Sequence, residues 1–322
     1  MPIARTAAKK LARLIGIVLI VSFLTFSLTK MLPGNPVQQI LQSEYSNTEL
    51  RQAVEEKYGF DKPFLTQYWL FMKGVVTEGD LGRSYQQDIP TTTLISQRLP
   101  ATLQLLIMAQ LLSLLISIPL ALYSAYRANS RADKLITTGT FGMISLPAFA
   151  LAPFLVFIFA VQLGWFPAIG YDRLTGPDGI GENLKSVALP VLVLTIGLTA
   201  VYTRLLRSDL IATLQEDFVM MARSKGLPTW HILVRHALRP SSFSLLTVFG
   251  LNFGALIGGA LIVESFFGIP GMGRLAAESI PRREYLVVQG TVLVIAVTFV
   301  VVNFITDLLY SLLDPRVRRA GA

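Results

Sequence analysis

Six long apolar segments limit this chain, more than any other feature, to folds that a lipid bilayer allows. A helix of about 20 apolar residues crosses the roughly 30 Å of hydrocarbon in a bilayer. Charged residues are 15% of the chain, against roughly 25% in a typical soluble domain. The pattern predicts an all-α membrane protein with six transmembrane helices, at approximately residues 11–32, 101–124, 135–162, 188–206, 243–265 and 286–310.

The first segment follows a basic stretch that contains Arg5, Lys9, Lys10 and Arg13. Such a stretch could begin a cleaved signal peptide. No A-x-A-like cleavage site precedes "TKMLPGNP", so we predict that the segment is kept as the first membrane anchor.

The charges between the segments are divided unequally. The N-terminus, residues 125–134 and 204–242, and the C-terminal tail carry 16 basic and 5 acidic residues. Loops 33–100, 163–187 and 264–285 carry 11 basic and 14 acidic residues. Because cytoplasmic loops are enriched in Lys and Arg, we predict a multi-pass protein of the plasma (inner) membrane with both termini cytoplasmic. The net charge of +8 lies in these breaks, so we expect the lipid bilayer, and no nucleic acid, as a partner.

Sequence motifs for catalysis are missing. The chain has no G-x-x-x-x-G-K-[ST], H-E-x-x-H or G-x-S-x-G motif, and without cysteine it has no disulfide, thiolate ligand or cysteine nucleophile. His231 and His236 are five residues apart, which would place them on different faces of an α-helix. We therefore predict no catalytic residue, no metal and no cofactor bound by this chain.

The predicted spans also lack a visible energy source. Apart from Arg13, Arg204 and Glu264, which are counted with the adjoining loops, their charged residues are Lys30 and Asp307, each near a span end. Ion-coupled transport, in contrast, needs ionisable groups at membrane depth. Deeper polar residues such as Gln104 and Asn252 could pair across helices or line a path. Either solute flows passively, or energy arrives from a cytosolic partner.

The segment 208–240 is a basic island between two apolar spans. Residues 209–225 have the period of an amphipathic helix, and Gly226-Leu227-Pro228 ends it. Thr229 can cap a second helix, which we predict to end at Pro240. The apolar face of the first helix comprises Leu210, Leu214, Phe218, Met221 and Ala222. In the second, His231, Arg235 and Arg239 lie opposite Leu233, Ala237 and Leu238.

These two helices and their turn, residues 209–240, are called the knob below. A knob of this kind could fit a groove in another protein. It could equally lie on anionic lipid as an interfacial hairpin with its basic face toward the headgroups. The pattern alone favours neither.

The stretch "DFVMMARSKGLPTWHILVRHALRPS" resembles the cytoplasmic EAA loop of ABC-importer permeases, in the version of B-type dipeptide/oligopeptide permeases. The glycine of that family matches Gly226, and "RHALR" matches Arg235 to Arg239. Met220-Met221-Ala222 replaces the EAA triplet, so its acidic residue is missing. Five further stretches, spread along nearly the whole chain, resemble the same subfamily in the same order. They are "LPGNP", "GDLGRSY", "RLPATLQL", "VESFFGIPGMGRL" and "DLLYSLLDPRVR".

The resemblance implies a type I ABC importer permease fold and a set of partners. These are a sister permease that completes a heterodimer, two cytosolic ATPase subunits that bind the ATP, and an extracytoplasmic substrate-binding protein. The EAA-like loop would be the coupling helix seated in a groove of the ATPase. The implied coupling residues are Phe218, Ala222, Arg223, Lys225, Gly226, His231, Arg235 and His236.

The predicted organisation has four parts. Residues 1–32 are the N-terminal tail and first helix, and 33–97 are a small extracytoplasmic insertion between helices 1 and 2. Residues 98–311 are the permease core with five helices and the coupling loop 208–240, and 312–322 are a cytoplasmic tail.

Small residues and prolines recur inside the spans. Gly250, Gly254 and Gly258 are four residues apart, a spacing that lets helices approach closely. They could pack within this chain or contact the sister permease. Pro119, Pro147 and Pro153 are predicted to kink their helices.

The function predicted from these features is a permease subunit of an ATP-driven peptide importer, without an ATPase site of its own. The same architecture could import nickel or glutathione. A passive channel or facilitator is the alternative from another class, and a membrane-embedded enzyme would need a catalytic pair that the sequence does not contain.

Overall fold

The computed structural model describes residues 2–31, 36–41, 45, 47–174, 176 and 179–313. Most of "LPGNP" and most of the predicted tail lie outside these residues. Apart from one isolated bridge between Arg83 and Pro90, the regular secondary structure of the described part is helical. Its helices are α1 (Pro2–Met31), α2 (Pro36–Leu41), α3 (Thr48–Tyr58), α4 (Phe64–Thr77), α5 (Thr91–Tyr126), α6 (Arg131–Ser145), α7 (Ala148–Leu155), α8 (Gly179–Thr213), α9 (Asp217–Ser224), α10 (Thr229–His231), α11 (Leu238–Phe267), α12 (Met272–Ser279) and α13 (Tyr285–Leu313). Two π-helical stretches, Val156–Gln162 and Ile232–Ala237, follow α7 and α10.

The helices account for the predicted membrane spans. Among the described residues, four are long and apolar enough to cross a membrane, and two bent helix pairs raise the number to as many as six. The third predicted span, 135–162, is one of those pairs, with α6 and α7 meeting at 101°. Pro147 explains the bend, because it forces the preceding residue out of the helical region, and Leu146 is extended at φ −94°, ψ 111°. Pro119, in contrast, lies inside the unbroken α5.

The chain divides into two compact units, one of residues 1–100 and 271–301 and one of residues 101–270 and 302–318. In the first unit α1 packs on α4 through aromatic rings. Phe23 and Tyr68 meet edge to face at 5.2 Å, and Phe26 lies 5.0 Å from Phe64. The apolar core of this unit comprises Phe71, Leu81, Leu94, Ile95, Met272, Leu275, Val287 and Leu293.

The loop 78–90 carries the "GDLGRSY" motif and is held against the start of α13. The buried Glu284 carboxylate accepts hydrogen bonds from Ser84 Oγ at 2.7 Å, Tyr85 N at 2.7 Å and Gln86 N at 2.9 Å. Gly82 has φ +82°, and a Cβ there would lie 2.7 Å from Leu286 Cδ1. The motif therefore needs a glycine both for its backbone and for its close approach to α13.

Polar side chains join the helices of the second unit. Gln104 Nε2 donates to Asn183 Oδ1 at 2.6 Å, and Tyr202 Oη donates to Gln110 Oε1 at 2.6 Å. For these two glutamines the structure shows pairing across helices. The sequence placed Glu264 in an outer loop, which is wrong. It lies inside α11, fully buried, and accepts from Thr102 Oγ1 at 2.5 Å.

Candidate coupling surface

The first half of the knob is two helices, where one was predicted over 209–225. The helix α8 ends at Thr213, and α9 begins at Asp217 after Glu216, which is extended at ψ 150°. The three residues between them shift the helical register. As a result Val219 is buried, whereas Phe218 and Met221, predicted to share one apolar face with the buried Leu210 and Ala222, are 45% and 61% exposed. The prediction of one continuous amphipathic helix over 209–225 is therefore wrong.

Gly226 terminates α9 in a Schellman motif. Its φ is +75°, and its N–H donates to Arg223 O at 2.9 Å while Leu227 N–H donates to Ala222 O at 3.3 Å. An L-residue side chain is disfavoured at this φ even though the space around a Cβ at Gly226 is open. Gly226 therefore has the left-handed backbone conformation that favours glycine at the end of a helix.

A small apolar core holds the two halves of the knob together. Val219, Ala222 and Ile232 are buried, with Leu214 and Leu227 packed on them. The contact between Leu227 and the end of α9 is the one that usually accompanies a Schellman turn. Ala222, at 8% exposure, therefore supports the knob from inside and does not face outward.

The second half of the knob differs from an α-helix. Residues Ile232–Ala237 are π-helical, with Leu238 N–H donating to Leu233 O. A π-turn closes hydrogen bonds between residues five apart instead of four, and the rings of His231 and His236, five residues apart, lie 5.8 Å from each other. The prediction that they lie on different faces is therefore wrong.

The sequence predicted that the second helix ends at Pro240, and this prediction is wrong. The chain passes from the π-turn directly into α11, and Pro240 is its third residue. A proline inside a continuous helix removes one backbone hydrogen bond and crowds the carbonyl four residues before it, and here the π-turn Ile232–Ala237 occupies that preceding turn. The π-turn thus makes the junction between the knob and the next membrane span.

The outward side of the knob is mixed apolar and basic. The exposed apolar residues include Phe218, Met220, Met221, Trp230 and Val234, at 42–61% exposure. Arg223, Lys225, His231 and Arg235 are also exposed, and His236 is half-buried. Methionine side chains adapt to irregular surfaces, and the Met220-Met221 pair stands where the family has its acidic residue. All of the predicted coupling residues except Ala222 are therefore exposed or half-buried on the knob.

The glycines of α11 lie in a separate place. A Cβ at Gly250 would lie 2.9 Å from Thr306 Cγ2 of α13, so Gly250 is packed within this chain. Gly254 is half-buried, and the surroundings of Gly258 are outside what the structure describes. The Gly250 contact matches the intrachain alternative.

One ion pair of the second unit was not found from the sequence. Asp133 and Arg207 were counted there as loop charges, yet they form a two-bond pair between α6 and α8. Their separation by more than seventy residues gives no local pattern. The available signals are an acidic residue that follows a Ser N-cap and a basic residue directly after a predicted span.

The chain matches the family model described as "Binding-protein-dependent transport system inner membrane component" over residues 117–319. The N-terminal model of the same systems matches residues 4–106. The chain therefore belongs to the family of binding-protein-dependent transport system inner membrane components.

Relatives with assigned names align over nearly the full chain. The dipeptide transport system permease protein DppB of Alkalihalophilus pseudofirmus is 34% identical, over 97% of this chain and 98% of its own length. The oligopeptide transport system permease protein AppB of Bacillus subtilis is 36% identical, over 94% and 96%. The glutathione transport system permease protein GsiC of Shigella flexneri is 33% identical, over 96% and 97%.

A solved structure has the same fold. The inward-facing MetNI methionine ABC transporter aligns with a TM-score of 0.55 and 13% identity, over 69% of this chain and 96% of the other. The predicted all-α membrane protein with the type I ABC importer permease fold is confirmed, and the chain is a permease subunit of an ABC transporter.

Proposed function

We propose that this chain forms, with a sister permease, the path by which an ATP-driven importer moves peptides across the plasma membrane. The observation that carries the solute class is the full-length similarity to dipeptide and oligopeptide permeases. Both termini and the knob would be cytosolic, since the loop charges favour that orientation.

The knob would be the coupling element. Its Schellman turn and apolar core make it a stiff projection, and its outer side presents apolar and basic groups together. The partners would be two ATPase subunits that bind and hydrolyse ATP and an extracytoplasmic protein that delivers the peptide. Because this chain contains no phosphate-binding loop, nucleotide chemistry is assigned to those ATPases.

Reconstitution tests the proposal. The chain, its sister permease, the ATPases and the binding protein are placed in proteoliposomes, and uptake of labelled dipeptide and pentapeptide is measured with ATP. ATP-dependent peptide uptake is expected. Uptake that continues without ATP would instead indicate a facilitator.

Glutathione is the second candidate solute, because one relative is a glutathione permease at 33% identity. The same vesicles distinguish it. If labelled glutathione is taken up and the dipeptide and pentapeptide are not, glutathione replaces peptides as the proposed solute. Uptake of Ni²⁺ alone would contradict both.

A further inference from the structure

The first unit contains a cavity of about 180 Å³ whose lining residues come from α1, the end of α3 and the turn after it, α4, the loop 78–90 and α13. None of them belongs to the knob. A cavity of about 150 Å³ can hold benzene, so this one has room for one small organic molecule. The cavity is partly open to the protein surface.

Aromatic rings form much of the wall. Tyr58 and Phe60 are stacked at 5.8 Å, and Tyr85 lies 5.2 Å from Tyr58 and 5.9 Å from Phe60. Phe26 also lines the cavity. Such a surface favours the flat or aliphatic body of an organic ligand over a fully hydrated inorganic ion.

Lys30 brings a positive charge to this wall. Its Nζ donates to Gln67 Oε1 at 2.5 Å and lies 5.0 Å from the centre of the Phe60 ring. Among the described residues it has no carboxylate partner. An ammonium group has three N–H donors, so two remain available to an anion in the cavity.

Three buried polar atoms around the same cavity also lack a hydrogen-bond partner in the described part of the chain. They are Tyr85 Oη, Tyr285 Oη and Gln289 Nε2. Tyr285 and Gln289 are only 5% and 2% exposed. A buried donor without a partner is costly, and three at one cavity indicate that the occupant carries acceptor atoms.

The remaining charges do not reverse this conclusion. The other charged lining residue, Asp80, turns Oδ1 toward its own loop, where it accepts from Gly82 N at 2.8 Å. Burial, and after it the nearby Glu284 charge, raise the pKa of Tyr85 well above its ordinary value. The Tyr85 phenol is therefore a neutral group that can donate a hydrogen bond.

We propose that this cavity binds a small organic carboxylate with an aromatic or aliphatic body. The carboxylate pairs with the Lys30 ammonium and accepts from Tyr285 and Gln289, while the body packs against Phe26, Tyr58 and Phe60. This site goes beyond the proposed transport function and does not depend on the ATPase partners.

Equilibrium binding of radiolabelled benzoate to the purified full-length chain tests the site. Saturable binding is expected, with competition by unlabelled benzoate and not by benzylamine, whose charge is that of Lys30. Lys30→Met should weaken benzoate binding roughly tenfold, since it removes one charge-assisted contact. Lys73→Met is the matched control, because Lys73 is an exposed lysine of α4 that does not line the cavity.

Tyr285→Phe keeps the ring and removes only the unpaired oxygen, so the protein should fold normally and bind benzoate several-fold more weakly. The proposal is overturned if benzoate does not bind at millimolar concentration, which would mean that the cavity holds only water. It is also overturned if Lys30→Met and Tyr285→Phe both bind as tightly as the parent, or if benzylamine competes as well as benzoate.

Discussion

The Asp133 carboxylate accepts two hydrogen bonds from the Arg207 guanidinium, from Nε at 2.6 Å and from Nη2 at 2.7 Å. Ser124 Oγ and the Asn129 backbone N–H donate to the same carboxylate. The Asp133 side chain is 4% exposed, so the pair is shielded from water. It links α6 to α8 through a carboxylate that accepts four hydrogen bonds.

Removing one partner of this pair is expected to destabilise the protein. Asp133→Asn leaves the Arg207 charge without its counter-ion, and breaking a buried pair costs about 3 kcal/mol or more. Equilibrium unfolding in mixed micelles measures the change. Asp61→Asn, at an exposed acid of the 59–63 turn, should change stability by less than about 0.5 kcal/mol.

A double-mutant cycle gives the decisive comparison for the pair. Asp133→Asn combined with Arg207→Gln should cost clearly less than the sum of the two single changes. Strict additivity would mean that the two side chains stabilise the protein independently.

Gly226 and Gly139 allow the backbone contribution of the Schellman turn to be isolated. Both have open space where a Cβ would go, but only Gly226 has a positive φ. Gly226→Ala is expected to destabilise by about 1 kcal/mol. Gly139→Ala, inside α6, should stabilise by up to about 1 kcal/mol. Thermal unfolding of the two variants measures the difference, and a shift of the same sign in both would contradict the explanation.

The outer face of the knob is expected to carry the binding energy for the ATPase. Phe218→Ala should weaken co-purification of the ATPase about tenfold, because a buried interface aromatic is commonly worth more than about 1 kcal/mol. Phe149→Ala, at a phenylalanine of α7 that is 63% exposed, is the control and should leave the association unchanged. Equal losses in both variants would remove the knob as the specific contact.

Comparison of Gly226→Val with Arg235→Glu separates protein docking from lipid docking. If the knob seats in an ATPase groove, Gly226→Val should weaken association or uncouple ATP hydrolysis from uptake more than Arg235→Glu does, since an exposed charge contact is worth about 1 kcal/mol or less. The lipid-hairpin alternative predicts the opposite order. Substrate-stimulated ATP hydrolysis and ATPase co-purification are measured on both.

Single cysteines test the orientation, because the chain has none of its own. Gln52→Cys on α3 should react with an impermeant maleimide added outside intact cells. Ala128→Cys and Ser224→Cys should react only after the membrane is opened. All three positions are exposed, so accessibility within the protein does not bias the result. Labelling of position 224 from outside would reverse the proposed topology.

Much of the architecture follows from sequence alone, because the bilayer permits few solutions. A spanning segment must satisfy its backbone internally and must be apolar for its whole length, and both conditions are readable in a linear pattern. The position of the Gly226 turn is readable too, since glycine before Leu-Pro has a strong local preference for ending a helix. The family resemblance rests on the same local stretches.

Which side chains of the knob are buried could not be predicted from the 3.6-residue period of its hydrophobic residues, because two irregular features interrupt that period. The three-residue break before Asp217 rotates α9, so that Val219 is buried and Phe218 is exposed. The π-turn at Ile232–Ala237 brings His231 and His236 to one side. The break interrupts the helix, and the π-turn has more residues per turn than an α-helix. A pattern of uninterrupted 3.6-residue turns therefore misplaces every side chain after either feature.

The sequence by itself therefore determined the class of protein, the long apolar helical segments and the turn at Gly226, because each depends on local sequence or on the demands of lipid. Only the tertiary structure decided which distant polar groups meet. Glu284 with Ser84, Asp133 with Arg207, and Lys30 with the unpaired Tyr285 and Gln289 around one cavity are examples. Such contacts depend on how helices that are distant in sequence pack together, and no short-range sequence pattern predicts that packing.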